Sequence, residues 1–418
     1  MNIPLRIALV LSGVLLLLLF SGCSALVKTG NELASNLNQL VKPYGFNFAS
    51  WEFNALFNQI KQSLTMRQPA VNPDSQDVIQ YFSYLDRLES LKSSLNRPEL
   101  EKVSIDITRT KEEIQQLQEN IDKLRPVVEQ TIAWQITQTL ASEGIFNPFN
   151  NWLNLTFPPV KFKLEKPLYV LVVSPRDKIE RTSTMMIKSD ISIEQMEELE
   201  AAVDRLNVSS LVVEIGGLGA TYPSFVIQNA DLRFTIDTAC EEWLHQYLAF
   251  RPLGFGYILQ LLGAPVNPGI PTLNETVAGV AAKELGALVY NKFYTEYQKP
   301  PKTEPVAPAA TGFDFDQEMR EIRKTVDQYL ARGEIQLAEK YMQEKQQFLA
   351  SKGYYIRKLN QAYFAFYGSY AYSPTSVDPI GDQVRLLREH SQNLQEFLST
   401  ASKLKTPADL EKAISQLE

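Results

Sequence analysis

The chain has 418 residues, 44% of them hydrophobic and 10% aromatic, which makes it too long for one domain of average size and too apolar for a disordered or collagen-like chain. Forty-one basic residues against 48 acidic ones leave a net charge of −7, with no dense Lys/Arg run, and this argues against nucleic acid as a partner. With only Cys23 and Cys240, and only His245 and His390, a cysteine-rich zinc ribbon, a disulfide framework and a three-histidine metal site are all excluded.

Residues Ile7 to Phe20 form an apolar run after a single basic residue, Arg6, and lead into Phe20-Ser21-Gly22-Cys23. Segment 1–22 resembles a bacterial lipoprotein signal, in which small residues precede a cysteine that is lipidated and becomes the mature N-terminus, here Cys23. Phe20 stands where leucine is usual, and the uncharged stretch from Ile7 to Val27 has 21 residues, enough to cross a bilayer uncleaved. A lipid anchor and an uncleaved helix both place the remainder at the cell membrane, on the extracytoplasmic side of the envelope.

A polar, mixed region at 23–98 carries aromatic-apolar clusters at Tyr44 to Leu56 and Val78 to Leu91, which predict helices close to the membrane. In 99–150, Leu100, Val103, Ile107, Ile114, Leu117, Ile121 and Leu124 recur at spacings of three, four or seven, with Thr110 as the polar seam position. Such spacing predicts either a coiled coil, through which the chain self-associates or is lifted from the membrane, or an amphipathic helix packed within the protomer. Pro126 is expected to end or kink that helix and to open a new one.

The period changes after Asn154. Val160 to Leu164 alternates, Leu168 to Val173 is nearly all apolar and Ser209 to Ile215 is β-branched, so three strands are predicted. Ser192 and Gln195 form a capping-box pattern opening a helix to about Leu206. The Gly216-Gly217-Leu218-Gly219 stretch lacks the Lys-Ser/Thr of a phosphate loop and reads as a turn. Strand, helix, strand and then long helices predict an α+β domain at 151–299.

A helix from Asp231 to about Phe250 presents Cys240, Trp243, Leu244, Tyr247 and Leu248 as one apolar face, interrupted by Glu241-Glu242-Trp243-Leu244-His245. Glu241 and His245, four apart, project from one side of the helix a turn apart, and Glu242 lies about 100° round from Glu241. In the zinc-peptidase motif H-E-x-x-H, two histidines hold the metal at this spacing and the intervening Glu activates water. Here Glu241 occupies the first histidine position. A following helix contains Asn274-Glu275-Thr276-Val277-Ala278, where an Asn-Glu pair supplies the third ligand in peptidases with a glutamate ligand. Thr272 and Glu275 also fit a capping box, so Glu275 is either ligand or cap.

Together with Val172-Val173-Ser174-Pro175-Arg176-Asp177-Lys178-Ile179-Glu180-Arg181, the Gly216 to Gly219 turn, Glu242 to Leu248, Asn274 to Ala278 and Ile356 to Gly368, these residues resemble a family of uncharacterised bacterial membrane-associated proteins predicted to be zinc metallopeptidases. The likeness runs from about residue 130 to 400. It implies a zincin-like strand-and-helix domain, with His245 and Glu275 as metal ligands and Glu242 as general base. Family members look like His-Glu-Trp-Leu-His where this chain has Glu241 to His245. By the same resemblance, Arg357, Asn360 or Tyr367 would line the cleft.

Glu241, His245 and Glu275 would place two negative charges on a zinc ion where two histidines and a glutamate place one. The more neutralised metal is a poorer Lewis acid, and oxygen-rich ligation favours harder ions such as manganese or magnesium. Without a metal, carboxylates about 4 Å apart repel by about 4 kcal/mol at an effective dielectric of about 20, so one of them is expected to hold a proton.

The Pro/Ala-rich stretch 300–312 reads as a linker. Within 313–418, helices from about Asp314 to Leu330 and from Glu334 to Ala350 meet at Gly333 as a hairpin, the aromatics of Tyr354 to Tyr372 read as core, and His390 as a surface residue. Two functions follow. One is a non-catalytic binding or scaffold module with a degenerate metal site, holding a peptide or protein partner in its cleft. The other is an active metal-dependent peptidase whose cofactor is zinc or another divalent cation.

Overall fold

The computed structural model describes residues 32–45, 74–95, 107–149, 154–219, 221–261, 267, 269–297, 313–371 and 373–416. The expected anchor segment with Cys23, the expected linker 300–312 and the Leu100 and Val103 positions of the heptad stripe lie outside them. The described residues form a mixed α+β fold of 13 helices and two three-stranded sheets.

Helices α1 (Glu32–Val41), α2 (Ser75–Leu95) and α3 (Ile107–Ser142) come first. Pro126 lies inside α3, which runs on as one helix instead of ending there. Packing outweighs the lost backbone hydrogen bond. Leu117 and Ile121 before the proline, and Val128, Ile132, Ile136 and Leu140 after it, are buried in one core with Val78, Tyr81 and Leu88 of α2. Ile114, Leu117, Ile121 and Leu124 of the heptad stripe therefore face a helix of the same chain.

One sheet has the order β3-β2-β4, from β2 (Leu168–Pro175), β3 (Ser183–Ile187) and β4 (Val208–Ile215), all antiparallel. Residues of β2 alternate between two apolar layers, which is why the strand is apolar throughout. Leu171 and Val173 pack on α1 and on α4 (Ile193–Asp204), whereas Val170 and Val172 meet Ala362 and Phe366 of α10 (Gln361–Tyr367). Helix α4 opens with the reciprocal Ser192–Gln195 capping box that the sequence predicts.

The other sheet, β1-β6-β5, comprises β1 (Phe162–Glu165), β5 (Gly217–Leu218) and β6 (Ser224–Ile227), with β1 and β6 parallel and β5 an antiparallel edge. The described residues thus form six strands where the sequence predicts three, and part of the glycine turn is the edge strand β5.

Helices α5 (Leu232–Leu248), α6 (Pro252–Leu261) and α7 (Ile270–Phe293) follow. After residues 300–312 stand α8 (Phe315–Ala331) and α9 (Ile335–Ser351), joined at Gly333 with φ +74°, then α10, α11 (Ile380–His390), α12 (Leu394–Ala401) and α13 (Pro407–Ser415). One core draws residues from α2, α3, β1, β6, α5, α7 and α11 to α13, so it joins stretches on both sides of residues 98, 150 and 300. Among the described residues no helix is long and apolar enough to cross a membrane.

Candidate metal centre

Helix α5 starts at Asp231, whose side chain accepts the Phe234 N–H. Its apolar face, including Ile236, Cys240, Trp243 and Leu244, is buried against Leu273, Val277 and Ala281 of α7. The Trp243 indole N–H donates to the Pro158 carbonyl over 2.7 Å and fixes the rotation of the helix. Gly286 permits the close approach of α7, because a Cβ there would stand 1.9 Å from Asp237 Oδ1.

That packing brings Glu241, His245 and Glu275 together, with one ligand atom from each lying within 4.8 Å of the others. His245 Nε2 is 3.4 Å from Glu275 Oε2, close to the roughly 3.3 Å edge that two ligands subtend on a tetrahedral ion with bonds of about 2 Å. Glu275 is not a cap. Helix α7 begins at Ile270, with Gly269 as N-cap and a proline in its first turn, so Glu275 sits in the second turn, only 8% exposed.

Glu242 turns beneath the glycine edge strand. A Cβ on Gly217 would lie 2.2 Å from Glu242 Oε1, and one on Gly219 would lie 2.8 Å from Glu242 Oε2, so the glycines supply the space that the carboxylate fills. The Gly219 N–H donates to that carboxylate, while Gln246 Nε2 donates to the Thr221 carbonyl at 2.7 Å. Two further residues belong to this site and have no signature in the sequence spacing. Tyr257 of α6 donates its hydroxyl to Glu275 Oε1 at 3.0 Å, and the Arg181 guanidinium, from the β2–β3 connection, lies near enough for its charge to act on both Tyr257 and Glu275. Arg181 lies in one of the stretches that carry the family resemblance, but nothing local marks it as a neighbour of Glu275.

Without a cation the cluster stores protons. Burial pushes Glu241 up to about 7, with Glu275 adding to the rise and His245 opposing it. Burial pushes Glu242 up to about 8 in the field of the same groups. For His245 burial acts downward, but Glu275, Glu242 and Glu241 outweigh it and raise the imidazole to about 10. Burial would lift Glu275 as well, yet His245 beside it holds it below the usual carboxylate range, with help from Arg181.

No family model, curated protein or solved structure matches the chain. The fit to a cation therefore rests on the donors themselves. Glu241 Oε1 and His245 Nδ1 are buried without a hydrogen-bond partner, as are both amide atoms of Asn274 beside Glu275, and such groups cost about 1–3 kcal/mol each when left unpaired. Two carboxylates and one imidazole, with an unpaired oxygen among them, fit a divalent ion of intermediate to hard character. Arg357, Asn360 and Tyr367 are placed elsewhere. Arg357 pairs with Glu200 at 3.0 Å or less and donates to the Val212 carbonyl at 2.8 Å. Asn360 caps α10 and donates to the Ser210 carbonyl at 2.8 Å, and Tyr367 packs on Tyr363 and Phe366. His390 is exposed, and Cys240 is a buried free thiol.

Proposed function

We propose that the chain is a membrane-anchored, extracytoplasmic protein of metallopeptidase-like, zincin-type build that holds a divalent cation on Glu241, His245 and Glu275 and acts as a binding or scaffold module for a peptide or protein partner. The observation that carries this reading is the convergence of the three ligand atoms within 4.8 Å with a carboxylate at position 241. A bound cation would supply positive charge and Lewis acidity at this buried cluster. Two anionic ligands blunt that acidity relative to a set with a single carboxylate. Glu242, raised to about 8, holds a proton at neutral pH in the cation-free protein and is not then a base.

The experiment is elemental analysis of the full chain purified in detergent, followed by zinc and manganese titration. One tightly held ion per chain supports the proposal; a chain that retains and binds neither overturns it. A second reading, an active metal-dependent peptidase with Glu242 as general base, draws support from the burial of that carboxylate beside the cluster and under the strand edge. Peptide hydrolysis that requires the added metal and vanishes in Glu242→Gln would establish it over the non-catalytic reading.

A further inference from the structure

The carboxylate of Glu275 is asymmetric in its surroundings. Oε2 faces His245 Nε2 at 3.4 Å, on the side of the cluster, whereas Oε1 accepts the Tyr257 hydroxyl at 3.0 Å. A carboxylate with one oxygen so engaged is held from rotating about its last bond, and it turns a single oxygen toward the other two ligands. The Arg181 guanidinium stands behind the phenol. A cation beside a phenol makes its O–H a stronger donor, and hydrogen bonds of that kind draw charge away from the oxygen that accepts them.

We infer that Tyr257, backed by Arg181, is a positioning residue of the metal centre, fixing Glu275 as a one-oxygen ligand and thereby setting which divalent cation the site prefers. This inference rests on the cation site proposed above and adds the device that selects the ion. Its logic is one of coordination and charge. Glu241 already gives the centre one carboxylate more than two histidines and a glutamate would. If both oxygens of Glu275 were also free, the site would offer up to four carboxylate oxygens and one nitrogen, which suits manganese or calcium, ions that take more oxygen ligands than zinc. Engaging Oε1 removes one of those oxygens, and the nearby Arg181 charge offsets part of the surplus negative charge. The Arg181–Tyr257 pair therefore moves a carboxylate-rich set back toward zinc. The three elements involved are the β2–β3 connection, α6 and α7, so the device depends on the sheet and the helices being docked.

The test compares the full chain in detergent, wild type against Tyr257→Phe, Arg181→Gln and Arg181→Lys, by competition of zinc and of manganese with a chromophoric chelator at neutral pH. Partners of metal ligands typically change affinity by about 10–100-fold when removed. We expect Tyr257→Phe to shift the zinc-to-manganese affinity ratio at least about ten-fold toward manganese, Arg181→Gln to shift it the same way by less, and Arg181→Lys, which keeps the charge, to lie nearest the wild type. X-ray absorption of the zinc-loaded proteins should show one more oxygen neighbour in Tyr257→Phe. A ratio within two-fold of wild type in a folded Tyr257→Phe protein would overturn the inference and leave the cation site standing. If wild type itself binds neither ion, the site and this inference fall together. Should Tyr257→Phe not fold, Arg181→Gln decides, with an unchanged ratio counting against the inference.

Discussion

Replacing Glu241 by Gln changes a carboxyl into a neutral amide of nearly the same shape, so it isolates the cost of the buried charge at the centre of the cation-free site. In the folded chain burial carries the Glu241 carboxyl from 4.5 to about 7. The native state thus binds this proton more tightly than the unfolded state does. Its contribution to stability is fully present below about 4.5, declines as pH rises toward 7 and is gone above that value. The interval corresponds to about 3 kcal/mol, an upper bound because the side chain keeps some contact with solvent. Glu242, raised to about 8, and His245, raised to about 10, give declines of the same sign over about 4.5 to 8 and 6.5 to 10. Glu275, lowered, has the opposite sign and costs stability only as pH falls through its own range. In excess chelator the wild-type chain should therefore lose stability between pH 5 and 9. Glu241→Gln should match it at pH 5 and exceed it by up to about 3 kcal/mol at pH 9, read as the shift in the urea or thermal midpoint. Adding manganese or zinc should reverse the order, because the ion stabilises only the chain that retains its ligand. A Glu241→Gln protein no more stable than wild type at pH 9 in chelator would refute the reasoning, since Glu241 would then carry no burial penalty.

Glu241→His restores the His-Glu-x-x-His set without altering the four-residue spacing, and zinc affinity measured by chelator competition should rise; unchanged affinity would count against a zinc-peptidase origin of the site. Gly217→Ala drives a Cβ into the Glu242 carboxylate and to 2.6 Å from Thr238 Cγ2, and overpacking of this kind costs about 1–3 kcal/mol. The penalty should shrink in the Gly217→Ala/Glu242→Ala double variant, and full additivity in that thermal-unfolding cycle would show that the two do not touch. Arg357→Met leaves Glu200, 2% exposed, as a buried carboxylate short of its main partner, and should destabilise the chain by about 3–5 kcal/mol in urea unfolding, with metal binding retained in the folded fraction. Cys23→Ala should abolish lipid labelling and signal cleavage if Cys23 is lipidated; a chain whose mass and membrane association are the same with and without the substitution would favour an uncleaved helix.

What the sequence determined was local. The Ser192–Gln195 capping box, the Gly333 turn and the alternation of β1 each lie within a few residues, where capping oxygens and side-chain period act directly on the backbone. The one-sided placement of Glu241 and His245 was equally readable, because α-helical pitch fixes it. Tertiary structure decided the rest. Whether Glu275 is cap or ligand depended on α7 starting at Ile270, ahead of the Thr272 that a capping box with Glu275 would need as its N-cap, and on Gly286 letting that helix close on α5. Pro126 stayed helical because the apolar residues flanking it share one core with α2, a gain invisible in a window centred on the proline. Tyr257 and Arg181 reach Glu275 from 18 and 94 residues away, and no spacing rule links them. Their convergence follows from apolar faces on the sheet and helices packing against one another, so the chemistry of the site is settled by contacts that form only when the core does.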